Sequence, residues 1–426
     1  MGVSVVRCNI TKVYGMTFYD REQEVAFLRE TRDRAEHVAR FTVVTGRRRI
    51  GKTTLIREAY KDEPFVYFFV SRKAESDLCE VYLEEISEKL GIPTLGSSRH
   101  FSEIFRYLMR LSQTKSFTLV IDEFQDFFRV NKAVYSEMQD IWDEYEKTSK
   151  INLVVCGSIY SLMQKIFKHK KEPLYGRNTA ELRVRPFKPS VLKQIMADAK
   201  PDYTKEDLLA MFTFTGGVAK YVSQLVDGGA LDKEAMIRHI VSPNSTFLNE
   251  GKNNLIEEFG KEVGGYLTNL ADEYELISKR QPLFEKSANK NVRYELNDVF
   301  YSFWFRFIFK YSYVIEIENY VKLQEIIERD YSTFSGLMLE RYFHSVAMES
   351  GEFTRIGRWW DRRGENEIDM IAEDELSGHV SFYEIKRQAD EISIGVLRQR
   401  AEVMLQATHE FKKHDISYKG LSMENM

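Results

Sequence analysis

The sequence predicts an α/β chain: a parallel sheet in the first 190 residues, a helical middle, and a second, smaller α/β unit near the C-terminus. Three observations carry this reading. Short runs rich in Val, Ile and Phe alternate with helical patterns through the first part of the chain. A basic loop bracketed by glycines leaves the first of these runs and enters a helix. Near the C-terminus, strand-like segments carrying Glu367-Ile-Asp369 and Glu384-Ile-Lys386 lie between two helical patterns.

The apolar runs are Phe41–Thr45, Phe65–Val70, Phe117–Ile121 and Ile151–Cys156. They are continuous rather than alternating, as strands buried on both faces are. Helical patterns follow at Lys52–Tyr60, Ser76–Leu90, Ser102–Ser112, Val134–Thr148 and Ser158–Phe167. Arg183–Phe187 is expected as a fifth strand. Alternation of strand and helix implies a parallel sheet with helices on its faces. From about 190 to 330 the pattern is mostly helical, with breaks at Thr215–Gly217 and Asp227–Gly229. A further helix (Thr333–Met348) then leads into strands at Glu352–Trp359, Glu367–Ile371 and His379–Lys386, and a last helix covers Ile392–Ala407. The expected domains are 1–190, 191–330 and 331–426.

Composition narrows the function classes. Hydrophobic residues make up 43% of the 426 and charged residues 30%, which excludes a disordered chain. Lys plus Arg is 61 against 65 Asp plus Glu, so any polyanion site must be a local patch. Cys8, Cys79 and Cys156 form no CxxC pair, which excludes a disulfide scaffold and a cysteine-rich zinc site. Residues 1–15 mix charges into their apolar positions, unlike a signal segment. No apolar run approaches the ~18 residues of a membrane span. The expectation is a cytoplasmic chain with no membrane partner.

Gly46-Arg-Arg-Arg-Ile-Gly51-Lys52-Thr53 fits GxxxxGK[ST] in a strand–loop–helix context. The glycines let backbone N–H groups turn inward around phosphate oxygens, and the helix N-terminus adds partial positive charge. Lys52 is expected on the β- and γ-phosphates, with Thr54 beside the site, and the Thr53 hydroxyl on Mg²⁺. Arg47, Arg48 and Arg49 either touch phosphate or a partner surface, or are solvated. Leu119-Val-Ile-Asp122-Glu123 supplies the other half: Asp122 to hold the magnesium, Glu123 to orient and deprotonate the attacking water. One strand intervenes between the two motifs, and no NKxD-type guanine-reading segment is evident, so ATP is the expected nucleotide. Ser158 either senses the γ-phosphate or caps the following helix. Arg177 is either a nucleotide-sensing finger or a surface arginine.

Together, Phe18-Tyr-Asp-Arg-Glu22, Gly46–Thr53, Val120–Gln125, Cys156-Gly-Ser158 and Leu174-Tyr-Gly-Arg177 resemble the archaeal-type AAA-like ATPases. These belong to the signal-transducing P-loop ATPases with numerous domains. The resemblance extends through Tyr294–Phe307 to the C-terminal domain that accompanies such ATPases. It implies that Phe18–Glu22 lies near the adenine and that a helical lid and a winged helix follow the ATPase core. Two departures mark this chain: Gly216-Gly217 is followed by Val218 where relatives have Pro, and Asn254–Glu262 runs almost directly into Val263–Leu267. Only a remnant of the winged helix is therefore expected.

In an extended strand Glu384 and Lys386 project from one face, and Asp369 on the neighbouring strand reaches that face. Two carboxylates on a divalent metal, with a lysine beside the attacking water, suffice for phosphodiester hydrolysis. Glu340 on the preceding helix completes the expected set. The spacing resembles the PD-(D/E)xK nuclease core of restriction-endonuclease-like fold, in which the family's C-terminal domain is placed. A metal held by Glu340, Asp369 and Glu384, with Lys386 in a catalytic role, is one reading. The bland alternative is a charged, solvated strand face. Arg355, Arg358, Arg362 and Arg363 with Trp359 and Trp360 either contact nucleic acid or form a domain interface. The aromatic stretch Phe300–Phe309 reads as core.

The expected function is an ATP- and Mg²⁺-dependent switch coupled to a nuclease-like domain that cleaves or binds nucleic acid. The alternative is an ATP-regulated binding module with an inactive C-terminal site. DNA or RNA is the expected partner of that domain, and self-association into a homo-oligomer is allowed; a DNA motor ranks last.

Overall fold

The computed structural model describes residues 18–92, 96–158, 160–250, 277–284 and 291–426. The chain divides into two compact units, Asp20–Arg185 and Pro186–Met426 with residues 18–19.

The first unit is a five-stranded parallel sheet in the order β2-β3-β4-β1-β5. Its strands are β1 (Arg40–Thr45), β2 (Phe65–Phe69), β3 (Phe117–Asp122), β4 (Ile151–Gly157) and β5 (Ala180–Arg183). β4 lies between β1 and β3, so the strand carrying the acid pair is not adjacent to the strand that feeds the phosphate loop. Every residue of β3 and β4 is buried, as the continuous apolar runs require. The fifth strand is a correction: it spans Ala180–Arg183, not Arg183–Phe187. It is an edge strand whose side chains alternate between half-buried and exposed, so no apolar run marks it.

The helices are α1 (Glu22–Ala35), α2 (Lys52–Ala59), α3 (Glu75–Leu90), α4 (Phe101–Leu111), α5 (Phe127–Val130), α6 (Val134–Tyr145) and α7 (Tyr160–Lys168). α4 shows how such a helix forms. Phe101, Ile104, Phe105, Leu108 and Met109 recur at three- and four-residue intervals and are all buried. Its neighbours complete an aromatic core in which Phe68 stacks on Tyr82 at 4.1 Å and Phe41 meets Trp142 at 5.1 Å. The high aromatic content is spent on this core.

The second unit begins with α8 (Pro189–Ala199), α9 (Lys205–Thr215), α10 (Ala219–Asp227) and α11 (Lys233–Ile240). α9 is buried from Asp207 to Thr215 and starts at a capping box, in which Thr204 Oγ1 accepts from Asp207 N and Asp207 Oδ2 from Thr204 N. The shortened winged-helix segment at 254–267 lies outside the described residues. Beyond it, β6 (Ile277–Arg280) and β7 (Arg293–Leu296) form an antiparallel hairpin. Most of the aromatic stretch is core: Phe300, Phe303, Trp304 and Phe307 are buried in α12 (Val299–Phe303) and the π-helical turn that follows, while Phe305 is half-buried and Phe309 is exposed. α13 (Ser312–Glu316) leads to α14 (Tyr320–Ser350), whose buried face meets α9 through Phe212–Tyr342 and Phe214–Tyr331. The expected helix Thr333–Met348 is thus the second part of a 31-residue helix that begins before residue 331.

A four-stranded mixed sheet follows, in the order β11-β10-β9-β8. It comprises β8 (Arg355–Trp360), β9 (Glu367–Asp374), β10 (His379–Ile385) and β11 (Asp415–Leu421). β8, β9 and β10 pair antiparallel, and β11 returns parallel to β10 after α15 (Ile394–Thr408). Leu397, Ala401 and Met404 of α15 pack on Ile371, Val380 and Phe382. Among the described residues no helix is long and apolar enough to cross a membrane.

Candidate active site

The phosphate loop joins β1 to α2. Gly46 has φ 153°, and a Cβ there would lie 2.6 Å from Val184 O, so only glycine fits. Gly51, with φ 97°, is the left-handed residue from which α2 starts. Lys52 is the first residue of α2 and is 7% exposed. Its Nζ donates to Gly46 O at 2.8 Å and to Arg47 O at 3.2 Å, which ties the loop to its own helix. Burial pulls the Lys52 ammonium below its ordinary value, against the opposing pull of Glu123 and Asp122 nearby.

Asp122 ends β3 and is buried. Its Oδ2 accepts from Thr53 Oγ1 at 2.8 Å and from Tyr67 Oη at 2.6 Å. Its Oδ1 accepts from Cys156 Sγ and Glu123 N, each at 2.8 Å. Burial, reinforced by Asp122, raises the Tyr67 and Cys156 groups well above their ordinary values, so both stay neutral donors. Tyr67 comes from β2 and Cys156 from β4, the two neighbours of β3. Cys156 opens the Cys156-Gly-Ser158 segment of the family resemblance, but the sequence assigns neither residue to Asp122. The only signal is a hydroxyl and a thiol set in otherwise apolar strands, and pairing register, a tertiary property, turns it into contact.

Glu123 follows with φ 52°, a left-handed conformation that a non-glycine residue adopts at a cost. Its Oε2 accepts from Ser158 Oγ at 2.8 Å and from Gln125 Nε2 at 2.5 Å. Ser158 thus reaches the acid pair from the end of β4. Thr53, Asp122, Glu123, Lys52 and Ser158 form one cluster. The Thr53 hydroxyl and Asp122 carboxylate are hard oxygen donors 2.8 Å apart, a set that suits Mg²⁺. Arg177 is engaged with α6: its Nη2 and Nε donate to the Asp143 carboxylate at 3.0 and 3.3 Å. In the Phe18–Glu22 segment, Arg21 is buried and donates to Arg185 O at 2.5 Å and Glu24 Oε1 at 3.0 Å.

The C-terminal acids differ from the expectation. Asp369 is buried on β9 and its Oδ2 accepts from Ile385 N at 2.8 Å, with Lys386 Nζ at 3.4 Å. Glu384 turns to α15, accepting from Ser393 N at 2.7 Å and pairing with Arg400 at 3.5 Å. Glu340 Oε2 faces Arg358 Nη2 at 2.8 Å. Among the described residues no group of three or more acidic, His or Cys side chains is arranged to hold a metal. The expected ligand set of Glu340, Asp369 and Glu384 is therefore not assembled, because each acid is taken by a different cation or amide.

Arg358 is the hub. It pairs with Glu295 (3.2 Å), Glu340 (2.8 Å) and Glu367 (2.9 Å), and Glu367 also holds Arg293 at 2.8 Å. Burial pushes the Glu340 carboxyl up to about 7, with Asp369 and Glu367 adding to the effect and Arg358 opposing it. The Arg358 contact is an ion pair without hydrogen-bond alignment, since Glu340 Oε2 takes no hydrogen bond among the described residues. Trp359 and Trp360 are core residues rather than stacking platforms, at 6% and 3% exposure. Trp360 Nε1 donates to Asn291 Oδ1, and Arg293 lies over its ring. Arg355 pairs with Glu373, while Arg362 and Arg363 are exposed.

Residues 18–225 match a family described as an ATPase domain predominantly from Archaea. Residues 304–400 match one described as archaeal and bacterial proteins of unknown function. An uncharacterized protein of Methanocaldococcus jannaschii is 30% identical over 406 residues, covering 87% of either chain. The Walker-type ATPase of Pyrococcus abyssi shares the fold at TM-score 0.50 and 17% identity, over 68% of this chain and 96% of that one. The ORC2 protein of Aeropyrum pernix aligns at TM-score 0.43 and 13% identity, over 65% and 89%. The chain belongs to the archaeal-type ATPase family, with the ATPase domain first and the family's accompanying domain towards its C-terminus.

Proposed function

We propose that this protein is a Mg²⁺-dependent ATP-hydrolysing switch whose nucleotide state governs its C-terminal domain. One observation carries the reading. Thr53, in the first turn of α2, and Asp122, at the end of β3, meet at 2.8 Å, with Lys52 and Glu123 close enough to act on each other's charge. Phosphate oxygens fit the loop amides and Lys52, whose side chain is already held by the loop carbonyls. Mg²⁺ held by Thr53 and Asp122 would add positive charge where the β- and γ-phosphates meet. Glu123 accepts the proton of the attacking water.

For the C-terminal domain, the helix–strand–strand–strand–helix–strand order supports the nuclease-like reading of its fold. The separate engagement of its acids weighs for a binding module and against cleavage. The test is calorimetric titration with Mg-ATP, with turnover measured with and without DNA or RNA and gels for cleavage run in parallel. Binding heat and turnover are expected in the wild type. Lys52→Ala, which removes the buried cation, should cost at least about 100-fold in affinity, on the order of 3 kcal/mol. A Lys52→Ala protein with unchanged binding and turnover would refute the reading. Metal-dependent cleavage that vanishes in Asp369→Ala would replace recognition by catalysis.

A further inference from the structure

Gln125 is 1% exposed, two residues past the acid pair, and has no part in the nucleotide chemistry assigned above. Its amide nitrogen donates to Glu123 Oε2 at 2.5 Å, and Ser158 Oγ donates to the same oxygen at 2.8 Å. The orientation of the amide is fixed by chemistry, because a carboxylate accepts only from the NH₂ side. Glu123 Oε1 accepts no hydrogen bond among the described residues. We propose that Gln125 is a positioning residue for the Glu123 base: with Ser158 it anchors Oε2, so that Oε1 is the oxygen left to take a proton.

Three further features support this. Gln125 Oε1 is buried without a hydrogen-bond partner, an arrangement a fold tolerates where another atom of the same group is needed. The backbone beneath is braced: Tyr135 Oη donates to both Phe124 O and Gln125 O at 3.2 Å, which holds the turn that leaves Glu123 at positive φ. Space for the amide depends on Gly157, where a Cβ would lie 2.3 Å from Gln125 Oε1 and 2.5 Å from Met163 Sδ. A strained base, a buried amide and a residue with no side chain thus serve one carboxylate.

The inference rests on the ATPase reading and adds a residue to it. In the step served, the water oxygen bonds to the γ-phosphorus, the bond to the β–γ bridging oxygen breaks towards ADP, and the water's proton goes to Glu123 Oε1. Gln125 touches none of these atoms. It sets the angle at which Oε1 is presented, and a misplacement of about 1 Å costs on the order of 100-fold in rate.

The test is a double-mutant comparison with steady-state turnover and ADP calorimetry as readouts. Gln125→Met keeps the length of the side chain and removes the donor without adding a charge. It is expected to lower kcat about 100-fold while KM for Mg-ATP and ADP affinity stay near wild-type values. In a Glu123→Gln background the same change should cost nothing further, because the group it positions is no longer a base. Gly157→Ala, which crowds the amide without altering it, should give the same kcat-only loss. A Gln125→Met protein with wild-type kcat overturns the proposal, as does a loss equally large in both backgrounds, the mark of a merely structural role. A Glu123→Gln protein as fast as wild type overturns the base assignment and this proposal with it. A wild type that binds Mg-ATP but never turns it over overturns the ATPase reading itself, a separate outcome.

Discussion

The chain carries two sets of clustered acids, and they are wired differently. At the end of β3, Asp122 and Glu123 take hydrogen bonds from hydroxyls, a thiol, a side-chain amide and a backbone N–H, all neutral. On β9, β10 and α14, Asp369, Glu384 and Glu340 each have a fixed cation: Lys386, Arg400 and Arg358. Neutral donors orient a carboxylate without neutralising it, and a carboxylate so oriented attracts a metal ion. A carboxylate already paired with an arginine must lose that partner before it can bind a metal. On the function proposed above, acids of the same type therefore serve a nucleotide site in one case and an ion network in the other.

The largest effect expected from this contrast is on stability. Arg358→Met removes the cation facing Glu295, Glu340 and Glu367 and leaves half-buried carboxylates without their partner. Breaking such a network costs about 2 kcal/mol, less than the loss of a fully buried pair. The same change at Lys52 should leave stability within about 1 kcal/mol, since burial already disfavours that ammonium and methionine fills its space. Urea unfolding followed by tryptophan fluorescence reads both. Equal midpoints for the two variants would erase the distinction between the regions.

A pH experiment sharpens it. Glu340 protonates near 7 in the folded chain and near 4.5 when unfolded. Between those values the folded state holds a proton that the unfolded state has lost, so stability falls as pH rises from about 4.5 to 7 and levels off above. The span corresponds to at most about 3 kcal/mol. Glu340→Gln carries no titrating charge and should flatten the profile across that window. A profile as steep as wild type in the Glu340→Gln protein would place the titration elsewhere.

What the sequence shows of each region follows from how local the chemistry is. The phosphate loop is legible because eight contiguous residues supply it, and their spacing is dictated by backbone geometry around a phosphate. Asp122 and Glu123 are legible because an apolar strand must end where they begin. Asp369, Glu384 and Lys386 are equally visible as spacing, but their meaning is set by partners the spacing does not show: Ile385 N on β10 for Asp369, and Arg400 on α15 and Ser393 at its start for Glu384. No local pattern announces an ion pair between residues on different elements. Edge strands are hidden for a related reason. β5 and β11 show half-buried and exposed positions instead of an apolar run, so the expected Arg183–Phe187 lies too far along the chain for the first, and no apolar pattern marks the second. Trp359 and Trp360 invite a stacking role by their arginine neighbours, yet the pleat and the hairpin above them make them core.

The smallest effect tests the neutral-donor idea at its source. Tyr67 and Thr53 share Asp122 Oδ2, at 2.6 and 2.8 Å. A hydroxyl on that oxygen competes with a cation for the same lone pairs, so each donor both orients the carboxylate and occupies it. Tyr67→Phe keeps the ring, with Arg57 over its face, and deletes only the competing bond. If Oδ2 is a cation site held open by exchangeable donors, the Mg²⁺ concentration for half-maximal turnover should fall about fivefold, near the ~1 kcal/mol of one hydrogen bond. If the hydroxyl instead does the orienting, its loss lets the carboxylate rotate, and that concentration should rise. The two accounts differ in sign, so a magnesium titration of the variant against wild type decides between a competing donor and an orienting one. A rise would place Tyr67 with Gln125 among the residues that hold the acids in place, and leave Thr53 as the donor that gives way to the metal.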